Sequence, residues 1–475
     1  MRRGVTVPPV GWFSVVLFAC YATYSVALHH RFRTAGFDLG IFDQAVRSYA
    51  RFESPVVPIK GEGFIHLGDH FHPIVATLAP LYWLWDDPRT LLVAQAGLVC
   101  AAIPVVHRFA WRRLQHWSAW CVTFGFALGW PLQQLVHFQF HELAFGVPLM
   151  AVALDALDRR ADRTLVVACL ALLLVREDMG LLVAMMGLLR AWSRPRALGV
   201  GMVVGGLAAF VVITKVVMSH FSPAGEWLYW SYDALGEDAG SALVTILTHP
   251  LEALQLMFDS SVKRSTWFAL FLPLLFVPLC SRYVLVGMPV LVAQFLTSRE
   301  LLWLPSYHYW GPLWVVLVLA FVDGLVRLRR LRGSLVPAVP VFLASVTALG
   351  VVLAPGLYPV QRVVTGAVFE VEPHEEDQRA LLDHVPASTC VEADNFLVPH
   401  LTATNKVSGP GRLTAPPADF VALDMSQEAV EDRSGTPAGA KRDAEAAGYT
   451  EVWQQGDLVL LRAPDYDGPT PACAG

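Results

Sequence analysis

Residues 10–28 read VGWFSVVLFACYATYSVAL, a stretch without a single charge and close to the ~20 residues an α-helix needs to cross a bilayer. Similar runs recur from Thr90 to Val106, Gly199 to Met218 and Leu335 to Leu353. Of the 475 residues, 55% are hydrophobic and 16% charged, and mean hydropathy is +0.48, a balance foreign to a soluble globular domain. The pattern predicts about eleven spans, near 10–28, 90–107, 117–134, 143–157, 164–176, 178–192, 199–218, 265–280, 283–297, 311–326 and 335–353. Met1-Arg2-Arg3 before the first run resembles a secretory signal, but no small-x-small cleavage site follows Leu28, so the span is read as retained. The net charge of −5 is uninformative, and nothing points to nucleic acid.

Arginine placement sets the expected orientation. With Met1 cytoplasmic, alternate loops carry Arg108, Arg112 and Arg113; Arg159, Arg160 and Arg163; Arg190, Arg194 and Arg196; Arg282; and Arg327, Arg329, Arg330 and Arg332. An odd span number leaves the C-terminus outside. The expected division is therefore a membrane domain over 1–357, with a long first outer loop at 29–89, and an extracytoplasmic α/β domain over 358–475. Within the loop, Phe37 to Arg51 and Pro73 to Trp85 are expected as short amphipathic helices along the membrane surface. Making Pro73–Trp85 a full span would flip every later arginine cluster to the outside.

In the tail, Pro373–His384 and Ala440–Ala447 read as helices, Thr389–Glu392 and Asp419–Leu423 as strands, and Glu451–Leu461 as a hairpin around Gln455-Gly456. Gly409–Pro417 and Ser434–Gly439 read as loops and Pro464–Gly475 as a frayed end. Cys20, Cys100, Cys121, Cys169 and Cys280 fall in spans, where a thiol is a small apolar group. Cys390 and Cys473 lie in the tail, where an oxidising compartment would allow a disulfide.

Unusual polar residues gather in the outer connections. Phe37-Asp38-Leu39-Gly40-Ile41-Phe42-Asp43-Gln44 sets a carboxylate just after the first span. Asp38 there can take the proton of an acceptor hydroxyl beside a lipid-anchored phosphate, or cap the helix that starts near Leu39. Asp43 is grouped with the substrate-binding candidates. Gly68-Asp69-His70-Phe71-His72-Pro73 puts a carboxylate and two imidazoles within four residues. Asp69 and His72, with Asp38, are the candidates for a divalent metal ion, but no closely spaced second histidine pattern completes a ligand set. A substrate-facing hydrogen-bond network of Asp69, His70 and His72 is the favoured reading.

His141 and Glu142 close the third span and face the same side, where interfacial histidines also serve as anchors. Arg176-Glu177-Asp178 interrupts the apolar stretch from Leu165 to Leu189, splitting it into two short spans with ionisable residues at a costly depth. Arg176 suits a carrier-lipid phosphate, since guanidinium pairs bidentately with phosphate oxygens. Alternatively it pairs with Asp178 or Glu177 and only fixes the turn. His308, within Tyr307-His308-Tyr309-Trp310, joins the polar side, and Lys263 and Arg264 are weaker phosphate candidates.

FDLGIFDQ from Phe37, GDHFHPI from Gly68, APLY from Ala79, RED from Arg176, YHYWGPL from Tyr307, EADNFLVPHL from Glu392 and ADFVALD from Ala418 resemble a domain-of-unknown-function family of bacterial and archaeal multispan membrane proteins. That family is similar to the GT-C superfamily of integral membrane glycosyltransferases. The resemblance implies a long first outer loop with surface helices, a short paired fifth and sixth span, an outer C-terminal domain, and an acidic residue soon after the first span. Asp38 matches that residue, while Leu39 stands where an Asp-Glu pair usually has Glu, removing one member of a metal-binding pair. The implied activity is transfer of a sugar from a polyprenyl-phosphate donor to an extracytoplasmic glycan, lipid or protein in the membrane of a prokaryote. A divalent metal is left open as cofactor and no nucleotide is expected. The rivals are a transporter or lipid flippase using the same cavity, and a non-catalytic scaffold.

Overall fold

The computed structural model describes residues 9–225, 230–331, 338–414, 417–427 and 436–475. Met1 to Arg3, Arg332, the start of the 335–353 span and parts of the 220–264, 409–417 and 434–439 loops lie outside them. Four described helices are long and apolar enough to cross a membrane: Pro9–His30, Arg89–Trp111, Ala197–Phe221 and His308–Arg330. Shorter helices occupy other expected positions, among them Leu143–Arg159, Asp162–Leu172, Met179–Ala191, Val284–Leu296 and Ala338–Leu353. The expectation of about eleven spans thus exceeds what length and composition establish.

Helix Gly311–Leu331 is the axis of the bundle. Its residues Val315 to Val322 are all fully buried, as expected of a helix that is hydrophobic all round. It packs on Leu143–Arg159, on the turn Val277–Cys280 and on Val284–Leu296. The expected 117–134 span is broken between His116–Ala127 and Trp130–His137. Pro131 cannot donate into the preceding turn, and a Cβ on Gly129 would lie 2.5 Å from Trp314 Nε1. The carbonyls freed at the break find side-chain donors: Trp314 on Phe126 (3.1 Å), Tyr21 on Ala127 (2.6 Å) and Gln133 on Leu128 (2.7 Å). That is the condition under which apolar surroundings tolerate a broken helix.

Helices Met179–Ala191 and Ala197–Val212 approach backbone to backbone through small residues. A Cβ on Gly180 would meet the Gly206 carbonyl oxygen at 2.5 Å, and one on Gly187 the Gly199 oxygen at 2.8 Å. Arginines from several expected inside loops converge at one end of the bundle. Arg108, Arg112 and Arg159 bond Asp155 at 2.7, 2.6 and 2.9 Å; Arg113 reaches Asp158 and Asp323, and Arg327 bonds Asp323 at 3.0 Å. Loops alternating along the chain therefore share one end, as their charge pattern implies.

The first loop departs from expectation at one segment. Pro73–Tyr82 is a short helical stretch followed by exposed Trp83, Leu84 and Trp85, suited to an interface. Helix Ile41–Ala50 does not lie on a surface: Ile41 to Arg47 are all buried. Gln44 donates to Val407 O of the tail at 2.7 Å, so the tail domain covers this helix.

The tail carries a mixed sheet with β1 Cys390–Ala393, β2 Lys406–Ser408, β3 Phe420–Asp424, β4 Thr450–Gln455 and β5 Leu458–Arg462. The order is β2-β1-β3-β5-β4, with β1 parallel to β2 and β3 and the remaining pairs antiparallel. Helices Pro373–Leu382 and Pro437–Ala446 pack on it. Strand β2 and the short helix Val398–Leu401 have no counterpart in the sequence reading. The chain end is not frayed: Cys473 is disulfide-bonded to Cys390, Thr470 N donates to Ser388 O at 2.9 Å, and Ala474 bridges Asn405.

Candidate functional site

The site forms where the tail meets the bundle, around the turn Gly36–Gly40 that carries Asp38. The turn is held from below by Gln139. Its side-chain oxygen accepts from Ala35 N at 2.7 Å and Leu39 N at 3.4 Å. Gln139 has a left-handed backbone (φ 67°), and fully buried Gln95 secures the segment by donating to Leu135 O and Gln139 O and accepting from His141 N. Neither glutamine was singled out from sequence, because a side chain that caps distant backbone leaves no local spacing.

Asp38 Oδ1 lies 3.4 Å from His141 Nε2, with the Asp38 side chain 25% exposed. The His141 ring stacks on His308 at 3.5 Å and 20°. Both imidazoles are buried, and the Nδ1 of each has no hydrogen-bond partner among the described residues. Next along the chain, Glu142 is buried and sits 4.0 Å from Arg176. Arg176 lies over the Tyr309 ring at 5.9 Å and makes a two-pronged contact with Asp178, Nε to Oδ1 at 2.8 Å and Nη2 to Oδ2. The pairing of Arg176 with Asp178 is thus present, and the fork faces Glu142 as well.

His70 Nδ1 meets Glu177 Oε1 at 3.0 Å, and Glu177 Oε2 accepts from Phe71 N at 3.2 Å. Burial alone would raise the Glu177 carboxyl, but His70 and Arg176 outweigh it and bring it down to about 2. Burial pulls His70 down, yet Glu177 wins and its imidazole is raised. Asp69 is paired with Lys60, with His66 Nε2 at 3.8 Å. Burial opposes ionisation there, and Lys60 holds the carboxyl below its ordinary range. His72 is fully buried, 4.3 Å from the His66 ring and 5.2 Å from Phe42, with neither ring nitrogen hydrogen-bonded among the described residues. Burial lowers its pKa.

Asp38, His70, His141, Glu142, Arg176, Glu177, Asp178 and His308 therefore lie in one chain of contacts, with Asp69 and His72 on its flank. Asp43 is elsewhere: fully buried, it accepts from Tyr82 at 2.6 Å and Arg47 at 3.1 Å. Lys263 is taken up by Asp259 and Leu256 O. Asp38, Asp69 and His72 do not form a converging three-donor set. Among the described residues such a set exists only at Cys390, Asp419 and Cys473, within 4.8 Å, and the disulfide there withdraws both sulfurs. Asp38, Asp69 and His72 do not fit a three-ligand metal site.

A family model described as a predicted membrane protein, DUF2079, matches residues 28–459. No protein of curated function shows significant sequence similarity. Among solved structures, ArnT from Cupriavidus metallidurans bound to undecaprenyl phosphate matches at 13% identity and TM-score 0.56, over 98% of this chain and 100% of that one. The archaeal oligosaccharyltransferase AglB from Archaeoglobus fulgidus, in complex with an inhibitory peptide and a dolichol-phosphate, matches at 12% identity and TM-score 0.41, over 97% of this chain and 75% of that one. The likeness to ArnT shows a shared fold.

Proposed function

The chain belongs to the DUF2079 family of predicted membrane proteins, and on that premise we propose that it is a GT-C-type glycosyltransferase. It moves a sugar from a polyprenyl-phosphate donor to a hydroxyl of a cell-envelope glycan, lipid or protein on the extracytoplasmic side. The observation that carries this reading is the part-exposed Asp38 carboxylate beside His141 at 3.4 Å, in a fold shared with a protein solved with undecaprenyl phosphate. The acceptor oxygen attacks the anomeric carbon as its proton passes to Asp38. The bond from that carbon to the phosphate oxygen breaks, its electron pair leaves with the polyprenyl phosphate, and the proton later goes to solvent. His141 polarises Asp38 from behind.

Arg176 binds the donor phosphate by exchanging Asp178 for phosphate oxygens. His70 and Asp178, whose side chains are part-exposed, wall the sugar pocket, and buried Asp69, His72 and Glu177 shape it from behind. The arginine-rich end faces the cytoplasm, in line with the positive-inside rule. The opposite orientation of the tail is supported by its Cys390–Cys473 disulfide, which persists in an oxidising compartment. Purified protein in lipid, given a panel of radiolabelled polyprenyl-phosphate sugars and envelope extract, is expected to transfer label from at least one donor. Failure with every donor by folded protein would shift the reading to transport or scaffolding.

A further inference from the structure

The turn that carries Asp38 is held from two sides by two different parts of the chain. Gln139 of the bundle takes the amide hydrogens of Ala35 and Leu39. Asn395 of the tail takes two of the three between them: its main-chain oxygen accepts from Gly36 N at 2.7 Å, and its side-chain Oδ1 from Phe37 N at 3.0 Å. The approach is close enough to require glycine, since a Cβ on Gly36 would lie 2.9 Å from Val398 Cβ.

The contact is braced around its edge. Arg412 lies over the Phe37 ring at 5.7 Å and donates to Lys60 O at 3.0 Å. The loop bearing Arg412 is itself fixed by Glu392 in β1, whose carboxylate accepts from Gly411, Arg412 and Leu413 N at 2.7, 2.8 and 2.8 Å. Farther out, Arg31 pairs with Glu372 and Glu375, and His400 stacks on His29 at 4.1 Å.

We propose that Asn395 is a positioning residue for Asp38, so that the tail domain is a working part of the catalytic end and not an appendage. The proposal rests on the reading of Asp38 as the base. An amide acceptor fixed by a rigid sheet sets the turn, and the turn sets where the carboxylate points; small misplacements of a reacting group cost rate steeply.

The test combines hydrogen exchange of peptide 33–41 with kinetics, on full-length protein in lipid. Asn395→Leu removes the side-chain acceptor and is expected to speed exchange at Phe37 about tenfold, while Asn395→Asp keeps an acceptor and keeps the protection. Gly36→Ala pries the contact from the other side and should reproduce the faster exchange if Asn395→Leu does not fold. In the transfer assay Asn395→Leu is expected to lower kcat with donor KM unchanged, and Asn395→Asp to restore part of it. Unchanged exchange in both Asn395→Leu and Gly36→Ala overturns the proposal, as does faster exchange with unchanged kcat. Absence of turnover in wild type would count against the enzymatic reading alone, leaving exchange to decide the structural one.

Discussion

Asp38 and its surroundings illustrate what a single residue reveals. The carboxylate, its position after the first helix and the neighbouring histidines are visible in the sequence, because each belongs to a short polar run in an apolar chain. Gln95, Gln139 and Asn395 are not, since each acts on backbone remote in sequence, Asn395 across the gap from the tail to the first loop. Asp43 shows the opposite error source: it shares a motif with Asp38, yet its side chain turns the other way into a buried pair with Arg47. Beside Asn395, Asp394 yields a prediction of its own. Burial, reinforced by Asp424, pushes its carboxyl up to about 7. The folded state then holds a proton that the unfolded chain releases near pH ~4, so stability falls as pH rises from about 4 through about 7. Asp394→Asn keeps an acceptor for Asp424 N and is expected to flatten that slope, gaining on the order of 2 kcal/mol at pH 8 in urea-dependent proteolysis of the tail.

Among the elements, helix positions were largely legible because apolar runs bounded by charged connections mark them, although only four described helices are long and apolar enough to cross a membrane. Two features were not. The break at Leu128–Gly129 depends on Trp314 and Tyr21 arriving from distant helices to cover its carbonyls, and the burial of helix Ile41–Ala50 depends on the tail above it. Alternating arginines indicated which loops share an end, but not the acidic partners that knit them. Asp155 is fully buried beneath Arg108, Arg112 and Arg159, whose side chains are 54%, 31% and 41% exposed. Asp155→Ala is expected to cost about 1–3 kcal/mol, reduced from a fully buried pair by that exposure. Glu451→Ala, which removes one partner of the part-exposed pair with Lys441, is expected to cost under about 1 kcal/mol. Thermal unfolding in detergent at fixed lipid content ranks the two, and an equal loss would contradict the burial argument.

At the scale of the whole molecule, the fall in apolar runs after about residue 358 marks where the bundle gives way to a more polar tail, whereas the packing of one on the other leaves no mark in the sequence. Sequence patterning reports which face of an element is apolar and is silent on which domain covers it. The tail end looked frayed because Pro464 to Gly475 lacks periodicity, yet a covalent link ties it down. Cys473→Ser is expected to lower tail stability by about 2–4 kcal/mol, read as increased protease sensitivity of residues 464–475 in the oxidised protein. An unchanged protease pattern would mean that noncovalent contacts alone hold the end.

The central claim is that Asp38 is the base of a sugar transfer at the junction of bundle and tail. Single-turnover transfer of radiolabelled sugar by Asp38→Asn, compared with wild type in the same lipid and with donor binding measured in parallel, tests it most directly. The account predicts a loss of about 10²–10⁴-fold in the transfer step with donor binding retained; transfer at the wild-type rate by Asp38→Asn would contradict it.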